Sequence, residues 1–211
     1  MDRSHLAQLA SHLLARPPVK VRMDACSRCQ LACPSCPTGR RENAKGIVGW
    51  GALSLQDFIS FCERHPHVRH IELSNWGELF LNPELVPMMR YAHEHGILLN
   101  ARNGANLNTV RQEVLAALVQ HRFHVLSVSL DGASQETYAQ YRRNGDFDRV
   151  IAHVKTINEH KARARSRYPC FAGSSSSCAT THTRSRRQRR WRKRSAWNSG
   201  PSNAGTLPWR P

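Results

Sequence analysis

The chain has 211 residues, and its 31 Lys and Arg against 15 Asp and Glu give a formal net charge of +16. Taken as a whole, that charge indicates a nucleic-acid-binding protein, but it is unevenly distributed. Residues 1–160 carry +3, whereas residues 161–211 carry +13 and contain no acidic residue. The first 160 residues therefore have the composition of an ordinary globular domain that is long enough to bury a core.

The sequence also argues against two other classes of protein. It contains no run of about 20 apolar residues, the length that a membrane span requires. Residues 1–18 lack the apolar core and the small-residue cleavage site of a signal peptide, so we expect a cytoplasmic protein. Four of the seven cysteines lie between residues 26 and 36, which indicates metal or redox chemistry rather than disulfides.

The spacing of apolar residues predicts helices and strands in alternation. Residues 1–18 form an N-terminal helix that a Pro-Pro pair ends. Ser54 and Asn82 each precede a helical period and are suitable N-cap residues. In chain order after the first helix, the predicted elements are strands at 19–23, 70–74, 97–101 and 125–130, and helices at 55–64, 83–95, 109–121, 134–142 and 147–161.

Strand, loop and helix recur four times at a spacing of roughly 30 residues, which is typical of βαβ units. This repeat predicts an α/β fold with a parallel sheet or barrel of about four βα units. Ligand sites in such folds lie in the loops that follow the C-terminal ends of the strands. Residues 170–211 show no helical or strand period, so we expect the sheet to end after the fourth strand, in a domain over residues 19–162.

The cysteine cluster admits several metal sites. Two CxxC pairs can mark a zinc ribbon, but such pairs are usually about 15–20 residues apart, and here three residues separate Cys29 from Cys33. The bacterial ferredoxin motif has its cysteines in another order. What remains is a loop in which Cys29, Cys33 and Cys36 bind three corners of a 4Fe–4S cluster and leave the fourth iron open. A structural or zinc-binding cluster remains the alternative.

The motif Cys29-x3-Cys33-x2-Cys36 resembles the signature of the radical S-adenosylmethionine (radical SAM) superfamily. Residues 36–41, Cys-Pro-Thr-Gly-Arg-Arg, resemble the branch that often carries a C-terminal SPASM-type domain with auxiliary clusters. The resemblance covers about residues 19–160 and implies a partial (β/α)6 barrel, truncated after about four units. It also implies a 4Fe–4S cluster and S-adenosylmethionine as cofactors.

The resemblance assigns further residues to S-adenosylmethionine. Gly77 and Glu78 match part of the family segment G-G-E-P-L-L, whose backbone and carboxylate contact the amino group of the ligand. Asn103, in an Asn-Gly pair after the third strand, matches the family's T-N-G and implies a βα loop that contacts the ligand. Ser129 and Arg142 match the region that contacts ribose and carboxylate, which a hydroxyl and a guanidinium suit.

The reaction of the family is the implied activity. A one-electron reductant of the flavodoxin or ferredoxin type reduces the cluster, and S-adenosylmethionine is cleaved to methionine and a 5′-deoxyadenosyl radical. That radical abstracts hydrogen from a C–H bond of the substrate. Substrates in this branch include peptides, proteins and cofactor precursors, and the sequence does not distinguish them.

Residues 163–211 are predicted to be a disordered basic tail, with eight basic residues among the eleven at 184–194. One alternative function follows from this tail: a metal-binding module whose basic arm contacts nucleic-acid phosphates. We favour the hypothesis that the tail is translated out of frame, because acidic residues stop abruptly where the family requires two more βα units. Residues 171–178 can be encoded TTC GCT GGC AGT TCA TCG TCC TGC, which two bases later reads Arg-Trp-Gln-Phe-Ile-Val-Leu, a plausible fifth strand.

An incomplete sheet has physical consequences. A sheet that ends after the fourth strand exposes a parallel edge and lacks the cofactor contacts of later strands. We therefore expect poor folding and weak or no turnover from this chain.

Overall fold

The computed structural model describes residues 17–46 and 48–172. In this part of the chain, five parallel strands form one sheet, and their order in the sheet follows the sequence. This arrangement confirms the predicted α/β class with a parallel sheet. The strands are β1 (Lys20–Arg22), β2 (His70–Glu72), β3 (Leu98–Ala105), β4 (Val125–Val128) and β5 (Cys170–Phe171), and the helices are α1 (Leu55–Arg64), α2 (Leu85–Glu94), α3 (Gln112–Gln120), α4 (Gln135–Tyr141) and α5 (Phe147–Arg163).

The core lies between the sheet and its helices. Central strand residues such as Ile71 and Leu99 pair in register and are almost fully buried. Helix α1 shows how a helix is set on this core: Ser54 caps it by accepting the N–H of Asp57 at 3.0 Å. The buried helix residues that cover the sheet include Phe58, Met88, Leu115, Leu118, Val150 and Ile157.

Strand β3 is longer than the sequence predicts, and it is irregular. It pairs in register with β4 at Ala101 and again at Ala105, with a register shift between them. The Asn103-Gly104 pair therefore lies within this irregular part of the strand, not in a turn after it. Gly104 has φ of +108°, which favours glycine. The irregularity brings the end of β3 to the edge of the sheet where ligand sites lie.

Helix α2 begins at Leu85, two residues later than an N-cap at Asn82 would place it. The side chain of Asn82 is used elsewhere, because its Nδ2 donates to the carbonyls of Ala25 and Leu53 at 2.7 and 2.9 Å. Its Oδ1 accepts the N–H of Glu84. Asn82 thus fixes the loop before the helix to the segment after β1, and the prediction that it caps the helix is wrong.

The sheet also extends past residue 162, where we expected the domain to end. Strand β5 pairs with β4, with Cys170 opposite Val125 and Phe171 opposite Leu126. The prediction of a sheet that ends at the fourth strand is therefore wrong, because a two-residue strand is too short to show a period. Two predicted segments lie outside the described residues. They are the N-terminal helix within residues 1–18, of which the structure describes only the last two residues, and the tail after residue 172.

No helix in the part of the chain that the structure describes is long and apolar enough to cross a membrane.

Candidate functional site

The three cysteines lie in one loop that follows β1, which we call the cysteine loop (residues 24–46). Cys33 is buried, whereas Cys29 and Cys36 are half-buried. The loop folds back on itself through the N–H of Cys36, which donates to the carbonyl of Cys33 at 3.2 Å. The N–H of Ala32 donates to the carbonyl of Arg143 at 3.0 Å. The loop is thus attached to the segment between α4 and α5, as well as to the sheet.

Burial controls the protonation of the thiols. The pKa of the Cys29 thiol is raised to about 12, chiefly by burial and also by the charges of Glu78, Cys33 and Cys36, against a backbone hydrogen bond that lowers it. Burial also raises the pKa of Cys33, although the guanidinium of Arg142 lowers it. Both thiols are therefore protonated at neutral pH in the absence of a metal. Binding of a metal cluster would release these protons, because thiolate is the ligand form.

Two side chains place N–H groups against two different sulfur atoms. The Nδ2 of Asn106 lies 3.7 Å from the Sγ of Cys29. The Nη1 of Arg142 lies 3.8 Å from the Sγ of Cys33. The Nε of Arg142 donates to the carboxylate of Asp131, which forms an ion pair with it.

Gly77 lies in the loop after β2, at the point where this loop meets the cysteine loop. A Cβ at this position would lie 1.9 Å from the carbonyl oxygen of Cys26, so there is no room for a side chain. The neighbouring Glu78 donates its backbone N–H to the carbonyl of Arg28 at 2.8 Å. The loop after β2 therefore packs backbone against backbone on the cysteine loop, and glycine is required there.

The side chain of Glu78 points into the protein and is only 3% exposed. One carboxylate oxygen accepts the N–H of Asn106 at 2.7 Å, and the other accepts the N–H of Phe80 at 3.2 Å. Burial raises the pKa of Glu78 to about 7, while these two N–H groups and Arg142 lower it. The predicted contact of Glu78 with the amino group of S-adenosylmethionine stays a prediction; in this structure its carboxylate joins the ends of β2 and β3.

Asn103 and Ser129, two of the predicted ligand contacts, lie at the same edge of the sheet. Asn103 is exposed, and its Nδ2 donates to the Oδ1 of Asn75 at 3.1 Å. Ser129 follows β4 and donates its N–H to the carbonyl of Ala105. A Cβ on Gly104 would lie 2.5 Å from the Oγ of Ser129, so the irregular part of β3 lets the two strands approach closely. Asn103 lines a cleft of about 450 Å³ together with Arg22, Met23, Asp24, Asn75 and Trp76.

A polar network lies beside the cysteines, and the sequence patterns did not predict it. Gln30 donates to the Oδ1 of Asn106 at 2.6 Å, and Asn108 donates to the hydroxyl of Tyr138 at 2.9 Å. Asn108 is buried, and its Oδ1 accepts the N–H of Asp146. The signal that could have found the network is the recurrence of Asn after a buried strand, where amide side chains require partners.

The cysteine loop offers the three thiols that a 4Fe–4S cluster with one open iron position requires. Among the residues that the structure describes, no three Cys, His, Asp or Glu side chains lie close enough together to hold one metal ion. In a 4Fe–4S cluster each thiolate binds a different iron atom, so the sulfur atoms need not converge on one point. The three thiols influence one another electrostatically and two have N–H donors aimed at them, which fits a cluster with three protein ligands.

Comparison with protein-family models gives no match. Among curated proteins, the chain is 28% identical over 134 residues to an AdoMet-dependent heme synthase of Methanosarcina barkeri. The match covers 62% of this chain and 36% of the relative, so the chain spans about a third of the length of that protein.

Solved structures share the fold. SuiB of Streptococcus suis bound to S-adenosylmethionine is 17% identical with a TM-score of 0.57, covering 75% of this chain and 34% of SuiB. SuiB bound to its precursor peptide SuiA is 17% identical with the same coverage and a TM-score of 0.59. The protein anSMEcpe with bound AdoMet is 18% identical with a TM-score of 0.56, covering 68% of this chain and 42% of that one.

Proposed function

We propose that this chain, which is a radical SAM enzyme by its resemblance in sequence and in fold, binds a 4Fe–4S cluster through Cys29, Cys33 and Cys36. One observation carries the proposal: the three thiols lie in a single loop at the C-terminal edge of a parallel sheet, where such folds bind their ligands. Because the chain spans only part of its relatives, the activity and the substrate of the whole protein belong to this proposal as well.

When bound, the cluster supplies an electron to S-adenosylmethionine, whose cleavage gives the radical that abstracts hydrogen from the substrate. The residues of this chain hold the ligand. We propose that the backbone at Gly77, which packs against Cys26 of the cysteine loop, contacts the ligand, and that the hydroxyl of Ser129 offers a partner to ribose. Arg142 donates one N–H to Asp131 and one to Cys33. The other donors of its guanidinium remain for the carboxylate of S-adenosylmethionine. Asn103 and Glu78 are the remaining proposed contacts.

The electron donor and the substrate are proposed by chemical class. We assign the donor to one-electron reductants of the flavodoxin or ferredoxin type and the protein to the cytoplasm. The substrate is a peptide or a cofactor precursor, and the precursor peptide bound to SuiB supports the first of these classes. We propose that a substrate of either class enters through the cleft beside Asn103 and Trp76, which Asp24 of the cysteine loop also lines.

Anaerobic reconstitution with iron and sulfide tests the proposal. We expect a brown species with the absorption and EPR spectra of a 4Fe–4S cluster, and we expect S-adenosylmethionine to perturb the EPR spectrum of its reduced form. The triple variant Cys29→Ala/Cys33→Ala/Cys36→Ala should lose the species. Cys62→Ala is the matched control, because Cys62 is a buried thiol on α1 and lies outside the cysteine loop.

Two outcomes would contradict the proposal. One is tight binding of colourless zinc with no iron–sulfur species, which would favour the metal-binding nucleic-acid module. The other is a cluster, or S-adenosylmethionine cleavage, that survives in the triple cysteine variant.

A further inference from the structure

We propose that Asn106 and Arg142 are positioning residues that stabilise the reduced form of the cluster by donating hydrogen bonds to two of its thiolate ligands. This inference rests on the proposed function. It starts from two N–H donors beside the sulfur atoms: Asn106 Nδ2 lies 3.7 Å from Cys29 Sγ, and Arg142 Nη1 lies 3.8 Å from Cys33 Sγ. Both lie within the distance at which N–H groups bond to sulfur.

The orientation of the Asn106 amide is fixed by its neighbours. Asn106 is only 4% exposed, and its backbone N–H donates to Glu78 at 2.7 Å. Its Oδ1 accepts the Nε2–H of Gln30 at 2.6 Å. The backbone N–H of Asn108, which can only donate, lies 3.4 Å from the same oxygen. The oxygen therefore faces these donors, and the NH2 group faces Cys29. Gln30 follows Cys29 in the chain, so the cysteine loop itself sets the amide that contacts its first sulfur.

Arg142 is oriented by a different set of contacts. Asp131 accepts its Nε–H in an ion pair, and the guanidinium carbon lies 5.3 Å from the centre of the Tyr141 ring. The guanidinium is planar, so a bond to Nε fixes the direction in which Nη1 points. Asp131 therefore turns Nη1 towards Cys33. We assign Asp131 an indirect positioning role, because it orients Arg142 and does not itself donate to a sulfur atom.

The expected consequence is a change in reduction potential. Reduction adds negative charge to a cluster and its thiolates, and hydrogen bonds to the sulfur atoms set its potential. A donor to the sulfur stabilises the reduced form more than the oxidised form, which raises the potential. Removal of a donor should therefore shift the midpoint potential to a more negative value. Arg142 carries a full charge and Asn106 only a dipole, so the shift should be larger for Arg142.

The test is an EPR-monitored redox titration of the reconstituted full chain without S-adenosylmethionine, with dithionite as the reductant. We expect a more negative midpoint potential in Arg142→Met and, by a smaller amount, in Asn106→Leu. Arg142→Lys keeps the charge but loses the planar guanidinium, so its midpoint potential should lie between those of Arg142→Met and the parent. Asp131→Asn should shift the potential by less than Arg142→Met does, because the loss of its negative charge opposes the loss of the Nη1 hydrogen bond. The two donors act on different sulfur atoms, so the double variant should show about the sum of the single shifts.

Arg143→Met is the matched control. It makes the same change of charge one residue away, and the contact of Arg143 with the cysteine loop is made by its backbone carbonyl. Its potential should equal that of the parent, which separates a specific hydrogen bond from a general loss of positive charge.

The outcomes are separable. If Arg142→Lys, Asp131→Asn and Asn106→Leu all assemble the cluster and keep the potential of the parent, the inference is overturned while the proposed function stands. An equal shift in Arg143→Met would also overturn it. If the parent chain assembles no cluster, the proposed function itself fails.

Discussion

Glu78 is a buried acid whose two oxygens both accept backbone N–H groups, one from Asn106 after β3 and one from Phe80 in its own loop. A carboxylate is one of the few side chains that can accept two such bonds at once. The same Asn106 then directs its side chain to Cys29. At the scale of single residues, Glu78 therefore supports the cysteine site by holding a residue that contacts it.

We predict that Glu78→Gln destabilises the fold. The amide keeps one acceptor oxygen, but its NH2 group meets a backbone N–H, so one buried donor is left without a partner. Such a loss costs about 1–3 kcal/mol, which chemical denaturation measures as a lower midpoint.

Glu63→Gln is the control for this change, because Glu63 is exposed on α1. A surface exchange of this kind should change the stability by less than about 0.5 kcal/mol. If the two variants unfold at the same denaturant concentration, Glu78 does not hold the loops.

At the scale of elements, the site is made where loops after different strands touch. The cysteine loop after β1 receives the backbone of Gly77 from the loop after β2 and Asn106 from the end of β3. The irregular end of β3 in turn contacts Ser129 after β4. The contacts of Gly77 and Ser129 join neighbouring strands, whereas Asn106 reaches the cysteine loop from β3, two strands away from β1. All five strands are parallel, so the loops after them lie at one edge of the sheet.

We predict that Gly77→Ala separates the two loops. The added methyl group would overlap the carbonyl oxygen of Cys26, so the backbone must move. Overpacking of this kind costs about 1–3 kcal/mol, and we expect reduced retention of the cluster as well. Thermal unfolding and the iron content after gel filtration measure the two effects.

Gly51→Ala is the matched control, since nothing lies within 4 Å of a Cβ at that position. It should fold and retain iron as the parent does. Retention of iron in Gly77→Ala equal to that in Gly51→Ala would contradict the predicted role of this contact.

At the scale of the whole molecule, charge is distributed unevenly along the chain. The net charge of +16 divides into +3 over residues 1–160 and +13 over the rest. The sheet continues to Phe171. The alternative reading frame described above for residues 171–178 begins at the same residue. We propose that the residues after this point are out of frame. The absence of acidic residues after residue 160 of the sequence supports the proposal.

The proposal predicts that a chain with the frame restored after Cys170 is more stable. The segment Arg-Trp-Gln-Phe-Ile-Val-Leu would lengthen β5 with apolar residues and bury more of the β4 edge. We expect a higher melting temperature and stronger binding of S-adenosylmethionine than in the parent.

Sequencing of the gene region checks the premise. An uninterrupted downstream frame that continues the βα pattern must exist, and its absence would contradict the proposal. A restored chain that melts no higher than the parent would contradict the predicted stabilisation.

The sequence by itself determined most of the elements and placed the cysteine motif directly after the first strand. Helix α1 begins and ends at the predicted residues, because its apolar period and its cap are local features. The parallel order could be predicted because each strand is followed by a helix. The partners of Asn106, the use of Asn82 and the strand β5 could not be predicted.

Those features depend on which residues meet across the fold. Asn106 contacts Cys29 from 77 positions along the chain, and Arg142 contacts Cys33 from 109 positions away. A local pattern carries no signal for such a pair, since a buried amide and a capping amide look alike in sequence. Only the packing of the loops at one edge of the sheet selects between them, because there each buried donor and acceptor must find its partner.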